Sequence, residues 1–187
     1  MGAVSEQKPG RYPRTTGGLV ASILVLVLGV GAFVVFRSLF RDQTEYVPPN
    51  VDYLSVVQEA ADAGIELVHP TSLPAGWKAT AIDFTPGDRW VWNMSMLTDT
   101  GKFVGIHEED AALSGILSTY VDDDPRQGDP VTVTGSVAST WDTYSDSGGD
   151  HAFVAEVGQG RQTRTVLVYG SAPVEDLRLI LDTLAKG

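Results

Sequence analysis

Near the C-terminal end of the chain, "YSDSGGDH" places Ser147 inside Asp-Ser-Gly-Gly and puts His151 four positions later. Those four letters surround the nucleophile of chymotrypsin-like proteases, so the chemistry in question is acyl transfer by a serine hydroxyl. It requires a histidine base hydrogen-bonded to the serine and a buried carboxylate behind that base, held in a two-barrel body of about 200 residues. Only about 137 residues follow the linker here. The flanks also differ: Ser145 and Asp150 stand where that protease context has glycine and proline. Aspartate, serine and glycine between two strand-like runs are turn residues at every position, and we read Ser147 as a hairpin tip.

His107-Glu108-Glu109-Asp110 carries metal-binding residue types, but Ala111 occupies the place of the second histidine of an HExxH helix. His69 and His151 can complete a site only by converging in space. Asp122-Asp123-Asp124, with Asp129 nearby, has carboxylates for calcium but neither the alternation, the central glycine nor the closing glutamate of an EF-hand loop. Trp90, Trp92, Met94 and Met96 alternate along one strand face, with Val91, Asn93, Ser95 and Leu97 on the other. Large apolar residues at period two are core beneath a helix, or else one wall of a groove for a lipid or a partner segment. A phosphate-binding loop, a dinucleotide fingerprint and a nucleophile elbow are all missing from the sequence. The expectation is therefore no catalytic residue, no metal and no cofactor.

The elements that must position these residues read as an α+β unit. Asn50 caps a helix with Leu54, Val57 and Ala61 inward, ended by Gly64. "IELVH" is a short strand, and "LPAGW" is a turn that delivers Trp77 to the core. "KATAIDF", "RWVWNMSML" and "KFVGIHEE" are strands separated by Pro86-Gly87-Asp88 and Asp99-Thr100-Gly101. Asp110 caps a helix carrying Leu113, Ile116, Leu117 and Tyr120 on one face. "VTVTGSV", "HAFVAEV" and "TRTVLVYG" add three strands, the last two joined by "GQGR". Ser171 and Pro173 open a final helix, with Glu175 and Asp176 in its first turn and Val174, Leu177, Ile180, Leu181 and Leu184 along its buried stripe. Short connections imply a mainly antiparallel sheet of six to seven strands, with about three helices packed on one face.

Ahead of this unit, Gly17 to Phe36 holds twenty residues without a charge or proline, enough for about 30 Å of helix, the thickness of the hydrocarbon layer. Lys8, Arg11 and Arg14 precede the run; Arg37 and Arg41 follow it. Val30-Gly31-Ala32 suits signal peptidase, yet the apolar run continues through Phe33, Val34, Val35 and Phe36, so we read an uncleaved anchor. The expected organisation is a basic cytoplasmic tail (1–16), a transmembrane helix and flank (17–41), a linker stiffened by Pro48-Pro49 (42–50) and an extracytoplasmic domain (51–187). The positive-inside margin for that orientation is a single charge.

With no cysteine, the domain has no disulfide, thiolate ligand or N-terminal lipid-bearing cysteine. The net charge of −11 is uneven. Residues 1–41 carry five Lys/Arg against one Glu, a net +4, and the remainder carries eight against 23 Asp/Glu, a net −15. A body of that sign repels phosphate backbones, so nucleic acid is excluded as a partner.

The ordered set of an N-terminal apolar run, "SLPAGWKAT", "RWVWNMSML", "TGKFVGIHEED", Trp141 after "VTGS", and "TVLVYGSAPVEDL" resembles domain of unknown function family 4245. The resemblance runs from residue 15 to the end and implies an actinobacterial protein with one membrane-anchored extracytoplasmic domain. It transfers no catalytic residue. The function expected is a non-enzymatic envelope interaction or accessory module whose partners are the lipid bilayer and another membrane or envelope protein. The alternative is a small-ligand or lipid carrier, or an enzyme whose noncontiguous site uses His107, Glu108 and His151.

Overall fold

The structure, a computed structural model, describes residues 16–39 and 49–187. The chain divides into two units, Met1–Val47 and Pro48–Gly187. The first contributes one helix, α1 (Thr16–Leu39). Part of the expected anchor Gly17 to Phe36 lies outside the described residues, namely the side chains of 17–19, 21, 22 and 24; so do the linker residues 42–48. Among the described residues, no helix is long and apolar enough to cross a membrane.

The second unit is α+β. Its elements are α2 (Tyr53–Asp62), β1 (Val68–Pro70), β2 (Lys78–Thr85), β3 (Val91–Leu97), β4 (Phe103–Glu109), α3 (Leu113–Tyr120), β5 (Arg126–Gln127), β6 (Val131–Thr132), β7 (Thr140–Ser145), β8 (His151–Val157), β9 (Arg164–Gly170), α4 (Val174–Thr183) and β10 (Leu184–Lys186). Eight strands form one sheet in the order β2-β3-β4-β9-β8-β7-β5, with β6 also on β7, and β1 pairs with β10 apart from it. Each of these pairings is antiparallel.

The main core lies on one face of the sheet. Trp92, Met94 and Met96 of β3 are buried there as the period-two pattern requires, together with Val104, Ile106, Phe153, Val166 and Val168. Tyr53, Val57 and Ala60 of α2 and Leu177, Ile180 and Leu181 of α4 close it. Trp77 belongs to this cluster, delivered by a turn in which Gly76 has φ +83° and its missing Cβ leaves room for the Asp99 side chain.

Helices on one face only was the expectation, and it is corrected here. Helix α3 packs on the opposite face, where Ile116 and Leu117 meet Ala152, Val154 and Leu167. The central strands β4, β8 and β9 are buried on both sides over most of their length, which is what two-sided covering produces.

Several boundaries also shift. Asp52, not Asn50, caps α2, accepting a hydrogen bond from the Ser55 N–H. The buried stripe is then Tyr53, Val57 and Ala60, while Leu54 is 47% exposed. Ala112, not Asp110, stands at the N-cap of α3, without a side-chain cap. Only Val131 and Thr132 of "VTVTGSV" form a strand, and "TWDTYS", not expected as one, is β7. Leu184 ends the α4 stripe as the first residue of β10.

Candidate functional site

Strand β4 carries His107 and Glu108 as neighbours, and the pleat sends adjacent side chains to opposite faces. Both are fully buried. They therefore belong to two separate polar clusters at the same end of the sheet.

His107 faces α3. Its Nδ1–H donates to Asn93 Oδ1 at 2.7 Å, and its Nε2 lies 3.3 Å from Glu109 Oε2. The Tyr120 ring packs 4.2 Å from the imidazole, and the Tyr120 hydroxyl donates to the same Asn93 oxygen at 3.4 Å. Tyr169 continues the aromatic row, 5.4 Å from Tyr120. Its ring lies over Gly105, where a Cβ would collide with it. Burial lowers the His107 pKa, and the charge and hydrogen bond of Glu109 oppose that. Burial also pushes the Tyr169 hydroxyl up to about 12.

Glu108 faces the main core. Its Oε2 accepts the Val68 N–H at 2.8 Å, which fixes β1 against the sheet. Its Oε1 lies 3.9 Å from Arg164 Nε, and neither atom has a hydrogen-bond partner. Burial raises the Glu108 carboxyl to about 7 against the pull of the Val68 N–H, Arg164 and Lys186. Arg164 is itself desolvated, which lowers its pKa. Its guanidinium lies 3.4 Å over the Trp90 ring and donates to the Trp90 carbonyl.

Arg164 lines a cleft of about 590 Å³ at the sheet end together with Glu66, Asp88, Trp90, Asp110 and Lys186, whereas Glu108 is fully buried and takes no part in that lining. Lys186 Nζ sits 3.5 Å from Glu66 Oε2. Trp90 packs half-buried against the same main core as Trp92, Met94 and Met96 and also lines the cleft.

The remaining candidates are dispersed. His151 lies on β8, two strands from β4, three rows along and on the other face from His107. His69 lies on β1, its Nδ1 donating to the Pro70 carbonyl. The enzyme alternative that joined His107, Glu108 and His151 is thus corrected: the pleat and the register separate all three. Among the described residues, no group of three or more His, Asp or Glu side chains is gathered to hold a metal ion.

Ser147 lies in the turn between paired β7 and β8. Its backbone N–H and its hydroxyl both donate to Asp122 Oδ2 at 3.2 Å, which holds the Asp122 carboxyl below its usual range. Asp146 closes the turn by accepting the Asp150 N–H. Asp122 thus serves the hairpin tip. Ser147→Ala is expected to leave the fold intact and shift stability by under about 1 kcal/mol, since one exposed side-chain hydrogen bond is lost and the N–H bond remains. Loss of cellular role with an unchanged melting curve would contradict this.

Sequence reasoning missed Arg164 and Asn93. Asn93 carried a signal, as the one amide in a strand that is apolar but for it and Ser95. Arg164 carried none, because its partners lie 56 and 74 residues away in sequence.

Among known families, the model for a protein of unknown function (DUF4245) matches residues 11–184. No curated protein and no solved structure matches the chain.

Proposed function

Since the chain belongs to the DUF4245 family, whose description assigns no reaction, we propose that it is a single-pass, membrane-anchored binding module of the cell envelope. Its N-terminus is cytoplasmic and the unit Pro48–Gly187 extracytoplasmic. The observation that carries the non-enzymatic reading is the division of β4, which sends its two chemistry-bearing residues to opposite faces and leaves His151 with neither. What remains is a polar cleft with fixed donors and acceptors, an arrangement suited to binding.

The anchor is supported by the apolar run Gly17 to Phe36 and its basic flanks. Leu26, Leu28, Phe33 and Val35 of α1 are each more than half exposed, and apolar surface of that extent needs a lipid or protein covering. The acidic body fits a partner other than nucleic acid.

The expected result on fractionation is a 20.0 kDa species that stays with membranes through a carbonate wash. A mature N-terminus at Phe33 would overturn the anchor. Cross-linking in native membranes is expected to join residues of 49–187 to another membrane or envelope protein. Crosslinks confined to the chain itself, across reagents of several lengths, would overturn the interaction role.

A further inference from the structure

Arg164, the first residue of β9, stands between two partners that compete for it. Its guanidinium lies 3.4 Å over the Trp90 ring and donates to the Trp90 carbonyl. Its Nε faces Glu108 Oε1 from 3.9 Å, beyond hydrogen-bond length. The Arg164 side chain is only 10% exposed and that of Glu108 is fully buried. Among the described residues, neither Nε nor Oε1 has a hydrogen-bond partner. Unmade bonds of buried groups cost free energy, so two such atoms left facing each other call for a cause.

The proton count supplies one. Glu108 Oε2 accepts the Val68 N–H, so the proton of the neutral acid sits on Oε1. An O–H then faces an N–H, and two donors make no bond. Once that proton leaves, Oε1 is an ionised acceptor. An inward shift of about 1 Å then brings Nε to the length of a charge-assisted bond. The guanidinium is one rigid plane, so the same shift loosens its hold on the Trp90 ring and carbonyl.

The surroundings leave Arg164 as the cation free to answer Glu108. Lys186 of β10 also acts on Glu108, but its Nζ sits beside Glu66. The register neighbours of Glu108, Trp92 on β3 and Val166 on β9, are apolar. From β1 comes the Val68 N–H, while His69 is bonded to the Pro70 carbonyl and packs against Tyr53 of α2. On Arg164, the charges of Glu108, Asp110 and Glu109 act against that of Arg89. Burial raises the Glu108 carboxyl to about 7 with Arg164 at its present distance, and closer approach brings the midpoint lower.

We propose that Glu108 and Arg164 form a pH-sensitive switch: the neutral acid leaves Arg164 stacked on Trp90, and ionisation of the acid draws Arg164 inward. Arg164 and Trp90 both line the cleft at the sheet end, so the switch resets the shape and charge of that surface from a carboxyl buried behind it. The inference goes beyond the anchored-module reading and does not depend on it.

The test uses the full-length chain in detergent micelles, titrated from about pH 5 to 8.5. The side-chain N–H resonance of Arg164 Nε, assigned by its loss in Arg164→Lys, is expected to shift with a midpoint at or below about 7. Tryptophan fluorescence is expected to change over the same range. Glu108→Gln keeps an acceptor for the Val68 N–H and is expected to abolish both transitions, whereas Trp90→Phe removes only the fluorescence change. An Arg164 Nε resonance that stays fixed across the range in the parent protein would overturn the proposal, whatever the variants do. So would transitions that survive Glu108→Gln, which would belong to a histidine, or a fluorescence change that survives Trp90→Phe. Membrane retention is read separately, so the two ideas fail by different results.

Discussion

Trp92→Ala is expected to lower the melting temperature of the folded unit by roughly 15–25 °C, or to prevent folding. Trp92 is fully buried in the main core, in register with Phe84 of β2 on one side and Glu108 of β4 on the other. Truncating a buried tryptophan costs about 3–5 kcal/mol through lost burial and the cavity left behind. Its indole N–H also donates to the Val68 carbonyl at 3.0 Å, and losing that donor strands a buried acceptor at about 1–3 kcal/mol more. A unit of this size has about 5–15 kcal/mol in total, so the change removes a large share. Leu54→Ala is the matched control: Leu54 is 47% exposed and should shift the curve by only a few degrees. Equal effects from the two would mean that α2 packs by its Leu54 face, contrary to the stripe described above.

The second large effect is a pH dependence. The Glu108 carboxyl titrates near 7 in the folded protein, chiefly because it is buried, against an ordinary value of 4.5. Between those values the folded state holds a proton that the unfolded chain has released. The stability this group contributes is therefore full below about pH 4.5 and declines as pH rises, levelling off above about 7. The span corresponds to about 3 kcal/mol. Glu108→Gln keeps an oxygen to accept the Val68 N–H but cannot ionise. The difference in unfolding free energy between variant and parent, from urea titrations at several pH values, should move by about that amount in favour of the variant as pH rises from 4.5 to 7.5. A difference that stays flat with pH would show that Arg164 compensates the carboxylate fully, and the expectation would fall.

Much of the architecture was legible because periodicity reports burial directly. The file Trp92, Met94, Met96 and the α4 residues Leu177, Ile180 and Leu181 lie where their spacing put them. Errors arose where two patterns competed. Tyr53 and Leu54 are both apolar, and either begins a helical stripe; the cap at Asp52 and the Tyr53 hydroxyl bond to the Pro70 carbonyl decide for Tyr53. "TWDTYS" lacks a continuous apolar face, yet pairing on both sides with β5, β6 and β8 makes it a strand. The second helix layer was not foreseen, although "FVGIHEE" already hinted at it by having no polar alternation before His107.

The candidate site was less legible. His107 and Glu108 attracted notice as a pair, but adjacent residues of a strand cannot share a face, and period two alone would have separated them. The pairing of Glu108 with Arg164 depends on β4 lying beside β9, a connection that no local pattern encodes.

The pairing of β1 with β10 has a kinetic consequence. Residues 67–71 bond to residues 183–187: Val68 aligns with Lys186, and Leu67 and Gly187 exchange both backbone hydrogen bonds. Glu108, in turn, holds β1 through the Val68 N–H. The segment that seats the buried carboxylate therefore waits for a strand roughly 120 positions later. Such long loops close slowly, so the unit should fold in milliseconds to seconds, after the last of these residues has been synthesised. Until the clasp shuts, Glu108 remains hydrated and carries its ordinary charge. Between about pH 4.5 and 7, its proton uptake should therefore coincide with the final closing step of folding.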